Sequence, residues 1–187
     1  MKIQLGCGHK KMPGYVNVDA SRNVNPDQVW DLEQLPLPFS DSSVDEIVAN
    51  HVLEHIHHFI PLMHDLWRIC KPDALLKVRV PFYTAWGQFN DPTHVRFFTP
   101  FTFNYFCGKS SYAHEVGSSD PLFRQDKARI HFGIGHARKF NVLMDPLLNF
   151  HHKLYCRFFA WTVPASELEF ELRVIKEYSP PPFPATL

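Results

Sequence analysis

His51, Glu54 and His55 stand in the order H-x-x-E-H within ANHVLEHIHH, the spacing by which one class of zinc peptidase holds its metal. Such a site needs both histidines one helical turn apart on one face, a glutamate holding the attacking water, and a third ligand from elsewhere. His51 falls where a predicted strand, Val44 to Asn50, gives way to a helix, so a regular helix need not include it. In a chain with 12 histidines a five-residue pattern of this kind arises readily by chance. His55, His57, His58 and His64 equally fit the solvated side of a helix. No metal is expected on these grounds, and a zinc hydrolase using His51, Glu54 and His55 stands as an alternative.

A second group competes for the same residues. Gly6-Cys7-Gly8, Asp19, Asp31 and Asn50-His51 each close a predicted strand, and in an open α/β sheet ligands bind outside the carboxyl ends of the strands. Gly6 and Gly8 begin a dinucleotide fingerprint, but position 11 is Lys, so the third glycine is missing. Asp19 follows Gly8 by eleven positions, whereas a dinucleotide site places its acid about 20 further on. Gly6 to Gly14 is only nine residues, short of the roughly 10–12 that a crossover with its own helix needs. Without that helix a pyrophosphate loses its anchor. S-adenosylmethionine has no phosphate. It needs an acid for its ribose hydroxyls, an acceptor for its adenine amine and close backbone approach to its methionine part, all of which survive the shortening.

A third group lies in FNDPTHVRFF after the fifth predicted strand. His94 can deprotonate a hydroxyl, with Asp91 orienting it and Arg96 meeting an anionic group. The competing reading has Asp91 and Thr93 capping a turn and His94 packing on Phe97 or Phe98. Tyr83 and Trp86 fit an aromatic acceptor wall or the core.

The elements that must position these residues follow from periodicity. KIQLGCG, GYVNVDA, QVWDLE, VDEIVAN and LLKVRVP (Leu75 to Val80) read as short strands, the first feeding a tight turn. From His51 the apolar positions Leu53, Ile56, Ile60, Met63, Trp67 and Cys70 keep helical steps. Pro61 fits the first residue of a second helical piece, and KPDA ends it. Further on, the pattern predicts a short helix around Phe101 to Phe106 and a strand over DKARIHFGI. A helix follows over DPLLNFHHKLYCRFFAW, with Asp145 as cap and Pro146 in the first turn, and LEFELRVIKEY closes as an alternating strand. The helix from Pro146 to Trp161 could belong to the core, cover an acceptor pocket or pair with a second subunit in a homodimer. Strands alternating with a well-marked helix make this an α/β chain on a mostly parallel sheet.

Composition narrows the partners. At 187 residues the chain can bury a core without staples, and residues 1–178 read as one domain before the Pro-rich tail 179–187. Lys plus Arg and Asp plus Glu number 19 each, so no overall basic field favours nucleic acid or an anionic membrane. Four scattered cysteines suit a reducing compartment, the start lacks the pattern of a secretory leader, and charges interrupt the apolar stretch from Phe140 to Val163. A cytoplasmic protein without a membrane span is expected.

LGCG…GYVNVDA, DLEQLPLPFSDSSVDEIVANHVLEHI and LWRICKPDALLKVRVP, from Lys2 to Pro81, together resemble the class I S-adenosylmethionine-dependent methyltransferases, specifically the small type 11-like group. The resemblance implies a Rossmann-like sheet with an antiparallel final strand, and methyl transfer to a small or medium-sized acceptor, by default a sugar or related hydroxyl. It implies that Gly6, Cys7 and Gly8 pass under the methionine part and that Asp19 binds the ribose. Asp31 and Leu32 would edge the adenine, and Asn50 and His51 would close the pocket floor. VLEH is common in that family without metal. Two departures stand out: the short first crossover, with His9 and Lys10 as replacements for the lost carboxylate contacts, and KPDA in place of two glycines. A nicotinamide oxidoreductase and a non-catalytic S-adenosylmethionine-binding protein are the remaining alternatives.

Overall fold

A computed structural model describes residues 1–110 and 121–176. The Pro-rich tail expected over 179–187 lies outside the described residues. Seven strands form one sheet: β1 (Lys2–Leu5), β2 (Val16–Asp19), β3 (Gln28–Val29), β4 (Val44–Asn50), β5 (Cys70–Pro81), β6 (Phe123–His131) and β7 (Glu167–Val174). Their order across the sheet is β3-β2-β1-β4-β5-β7-β6. The pairs from β3 to β5 are parallel, and β7 runs antiparallel to both β5 and β6. The helices are α1 (Phe59–Ile69), α2 (Trp86–Asn90), α3 (Asn141–Phe150) and α4 (His152–Phe158).

The register decides which face of the sheet is dry. Ile3 aligns with Val16 and Ile47, Leu5 with Val18 and Ala49, and Ala49 with Val78, which faces Phe170. All of these are buried except Val16, which is half-buried against the same core. Leu62, Met63, Leu66 and Ile69 of α1 belong to the same core, as do Phe59, Phe98, Phe103 and Phe106. Their spacing puts one apolar stripe of α1 against that core, each side chain contributing about 1.5–3 kcal/mol. Truncating Leu66 to Ala would cost about 2–5 kcal/mol.

The other face is polar. Glu46 pairs with Lys2 and Lys77, Arg79 with Glu167 and Glu169, and Lys127 with Glu169 and Glu171. Strands buried on both sides read as continuous apolar runs, whereas ELEFELRV of β7 alternates, so only one side takes a layer of apolar packing.

This face also explains the short first crossover. Between β1 and β2 there is a loop and no helix. Its backbone is tied to two buried polar side chains on that side of the sheet. Gln4 donates to Lys10 O and accepts from Met12 N, while Asn17 accepts from Met12 N and donates to Met12 O and Tyr15 O. A helix would want apolar groups at positions 4 and 17. The sequence offers amides, which satisfy loop backbone instead.

Four expectations need correction. His51 does not start a helix: it stands in the left-handed region at φ 51, Leu53–His55 makes a single 3₁₀ turn, and α1 begins at Phe59. Pro61 is the third residue of α1, where its missing N–H has no intrahelical partner to lose. Asp145 does not cap a helix, and Pro146 lies inside α3, which begins at Asn141. Strand β5 starts earlier than Leu75, at Cys70 directly after α1.

Candidate functional site

At the tips of β1 and β2, Gly6 and Gly8 both take positive φ, 58° and 49°. A Cβ on Gly6 would lie 2.5 Å from Val52 Cγ2, whereas one on Gly8 would meet nothing within 4 Å. Gly6 is thus required by protein packing, and Gly8 leaves open space above the loop. Cys7, buried between them, donates its N–H to Val18 O. The Gly8 N–H donates to Asp19 Oδ2 at 2.8 Å and the Ser21 N–H to Asp19 Oδ1 at 2.9 Å. Each carboxylate oxygen keeps a lone pair for a further donor such as a ribose hydroxyl.

Asp31 is exposed just past β3, where its carboxylate accepts the Glu33 N–H. Leu32 beside it is buried in the core. Asn50 ends β4, and the His51 N–H donates to Arg79 O, fixing the β4 tip against β5. The expected cofactor residues therefore gather along consecutive strand tips. A sugar-bearing nucleoside without phosphates fits them: the glycine loop offers backbone and open space, and no helix N-terminus stands behind it for a pyrophosphate.

The His51 imidazole is held by two carboxylates. Its Nε2 lies 2.8 Å from Glu167 Oε1, and its Nδ1 lies 3.3 Å from Oε1 of the fully buried Glu54. The Glu167 hydrogen bond, then the Glu54 carboxylate beside Nδ1, raise the His51 pKa to about 9, so at neutral pH the ring is a cation that donates to Glu167 and forms an ion pair with Glu54. Burial acts to raise the Glu167 pKa, but His51 and the charges of Arg79 and His131 outweigh it and hold the carboxyl low. From there the polar chain continues through Arg79 to Glu169, from Glu169 to His131 at 3.0 Å, and from His131 to Asp145 at 2.8 Å.

Sequence reading missed Arg79, His131 and Glu167, which line a cleft of about 140 Å³ with Arg138, Asn141 and Ile134. The signal was the alternation of acids in β7, which puts Glu167 on the polar face at the end of the strand. Its 116-residue separation from His51 hid the pairing.

The DPTH loop packs over the β4 tip, since Val95 N and Arg96 N both donate to Glu54 O. Asp91 does not orient His94. Its Oδ1 accepts from Thr93 N and Thr93 Oγ1, as the turn-capping reading expects, and its Oδ2 lies 3.9 Å from His94 Nε2. His94 is oriented by Gln88 O, 3.1 Å from its Nδ1, and its ring stands edge-on to His55 at 4.8 Å and not to Phe97 or Phe98. Arg96 lies over the Phe59 ring and donates to His57 O, a structural use. Tyr83 packs on Phe82 and Trp161, while Trp86 is exposed.

The zinc pattern comes apart in three dimensions. His51 turns to Glu167 and Glu54, and His55 Nδ1 to Thr93 Oγ1. Among the described residues the trio with candidate ligand atoms in reach is Glu54, His55 and His94, all within 4.8 Å. Ligands about 2.0–2.2 Å from a zinc ion in tetrahedral array would stand closer together than that outer limit.

Residues 4–78 match the family described as Methyltransferase domain. No curated protein matches the chain. Among solved structures, a methyltransferase dependent on S-adenosylmethionine from Archaeoglobus fulgidus aligns at 14% identity over 92% of this chain and 85% of that one, with TM-score 0.58. One from Mesorhizobium loti aligns at 14% identity over 92% and 89%, with TM-score 0.55. The [4+2]-cyclase SpnF aligns at 12% identity over 93% and 74%, with TM-score 0.54. Strand order and matched segment are those of the class I S-adenosylmethionine-dependent methyltransferase fold. The matched segment and these neighbours support S-adenosylmethionine as the cofactor, and the first crossover of this chain carries no helix. The same fold carries the cyclase, so the acceptor must be argued from the site.

Proposed function

We propose that the protein methylates a hydroxyl of a small or medium-sized acceptor, a sugar or related polyol, in the cytosol, using residues 1–178 as one catalytic domain. Gly6, Cys7 and Gly8 pass under the methionine part of the cofactor, Asp19 accepts from the ribose, Asp31 and Leu32 edge the adenine, and Asn50 and His51 form the floor. S-adenosylmethionine supplies a methyl carbon already activated by its sulfonium, so much of the catalysis is alignment of the acceptor oxygen.

The observation that carries the acceptor side is the contact between His94 Nδ1 and the Gln88 carbonyl, 3.1 Å. With Nδ1–H donated to the Gln88 carbonyl, Nε2 keeps its lone pair in a side chain only 9% exposed. The acceptor hydroxyl would give its proton to that nitrogen while taking the methyl group that the bound cofactor would supply. His51 is the wrong protonation state for a base at neutral pH and serves as a donor. The cleft lined by Arg79, His131, Arg138, Asn141 and Glu167 offers hydrogen-bonding groups suited to a polyhydroxylated molecule.

Methyl transfer followed by mass spectrometry over a panel of sugars tests this reading. His94→Ala should lower kcat by about 10²–10⁴-fold with cofactor affinity unchanged, whereas Asp91→Asn should change kcat little. Full activity in His94→Ala would overturn the assignment. A non-catalytic cofactor-binding protein is the second reading, favoured by the helix-free crossover, and cofactor binding without product on any acceptor would select it.

A further inference from the structure

Helix α3 is built inside out. Asn141, Asp145 and Asn149, at steps of four, face the sheet and bind its outermost strand and the turn after it. Asn149 accepts from Ile130 N and donates to Ile130 O, Asp145 accepts from Phe132 N, and Asn141 accepts from Gly133 N and donates to Gly133 O. These contacts satisfy the open edge of β6 at Ile130 and the backbone just past the strand. They also force the opposite stripe outward, and that stripe is apolar: Phe140, Leu143, Leu147 and Phe150, the last 88% exposed. The stripe continues in and after α4 with Phe158 and Trp161, 61% and 69% exposed. Single exposed apolar residues are ordinary, but two adjoining helical segments with their large side chains in water mark a surface with a partner.

Charge selects the partner. From Ile134 to Ser166 the sequence carries Arg138, Lys139, Lys153 and Arg157, and its one acid, Asp145, is buried against His131. A second copy docked face to face would bring these cations together. An anionic bilayer would pair with them while its acyl boundary takes the rings. We propose that the outer face of α3 and α4 rests on an anionic phospholipid surface. The neutral overall charge of the chain conceals this local excess. The cleft shares Ile134, Arg138 and Asn141 with the same segment, so it lies beside the docked face.

Flotation of the full chain with phosphatidylcholine vesicles, with and without phosphatidylglycerol, tests the proposal without any catalytic readout. The protein should float with the anionic vesicles, at least tenfold less with neutral ones, and be released by high salt. The double variant Leu147→Glu, Phe150→Glu should lose at least tenfold in vesicle affinity, while Val29→Glu, at an exposed apolar site on β3, should float as the parent does. Lys139→Glu with Lys153→Glu, which leaves the apolar stripe intact, should abolish the preference for anionic lipid. Absence of flotation overturns the proposal, as does flotation unchanged by the stripe or charge variants. A lipid-free dimer dissociated by Leu147→Glu, in a protein that vesicles do not capture, would assign the face to a second copy and overturn it too.

Discussion

Replacing Gly6 and Gly8 separately by Ala divides the glycine loop into a packing role and a binding role. Both residues hold left-handed backbone, which costs a non-glycine residue roughly 1–2 kcal/mol. Gly6→Ala adds a Cβ 2.5 Å from Val52 Cγ2 and 2.7 Å from Val52 Cβ. Overpacking of that kind costs about 1–3 kcal/mol more, for a total of about 2–5 kcal/mol. Gly8→Ala meets no protein atom within 4 Å, so its cost stays near the backbone component. Its methyl instead enters open space, where the proposed cofactor would lie. Urea unfolding should therefore show Gly6→Ala as the more destabilised variant by about 1–3 kcal/mol. Calorimetric titration with S-adenosylhomocysteine should show Gly8→Ala as a folded protein with at least tenfold weaker binding. Equal stabilities for the two variants would refute the packing argument, and unaltered affinity in Gly8→Ala would refute the placement of the cofactor.

Asp19→Asn keeps one oxygen for the Gly8 or Ser21 amide but loses the charge. It should cost about 1–2 kcal/mol in unfolding free energy and weaken cofactor binding measured by the same titration. The His51 ring should titrate near pH 9 by NMR, and Glu167→Gln should bring it down toward 6.5. Because its folded pKa is the higher one, its stabilising contribution is complete below about 6.5 and fades as pH rises through 9, visible as falling urea midpoints that His51→Gln flattens. Asp145→Ala leaves the Phe132 N–H without its acceptor and His131 with Glu169 alone of its two carboxylates, and should cost about 2–4 kcal/mol in thermal or urea unfolding.

The parts of this molecule that read directly from sequence are those where one local pattern has one solution. The nine residues from Gly6 to Gly14 cannot hold a crossover helix, and none forms. The order of the short strands ending in acids and glycines was legible too: Leu5, Val18 and Ala49, the residues just before Gly6, Asp19 and Asn50, pair on neighbouring strands. Helical periodicity in 141–158 was equally visible but does not say which stripe turns inward. The apolar stripe is the natural choice, and the backbone groups of Ile130, Phe132 and Gly133 reversed it by recruiting amides and a carboxylate. His51 misled because VLEHI continues the apolar spacing of α1 through what is a single tight turn. The strongest electrostatic feature, His51 between Glu54 and Glu167, depends on strand β7 returning to lie beside β5, and no short window of sequence contains that pairing.

The paired charges across the open side of the sheet affect how the domain responds to temperature. Where helices would blanket both sides, unfolding exposes much hydrocarbon to water, and the heat capacity rises by roughly 12–15 cal/mol/K per residue. Here one side offers carboxylates, guanidinium and ammonium groups, whose hydration lowers the increment. A smaller increment flattens the curve of stability against temperature, so the fold should lose less of its margin on cooling than a fully sandwiched sheet of the same length.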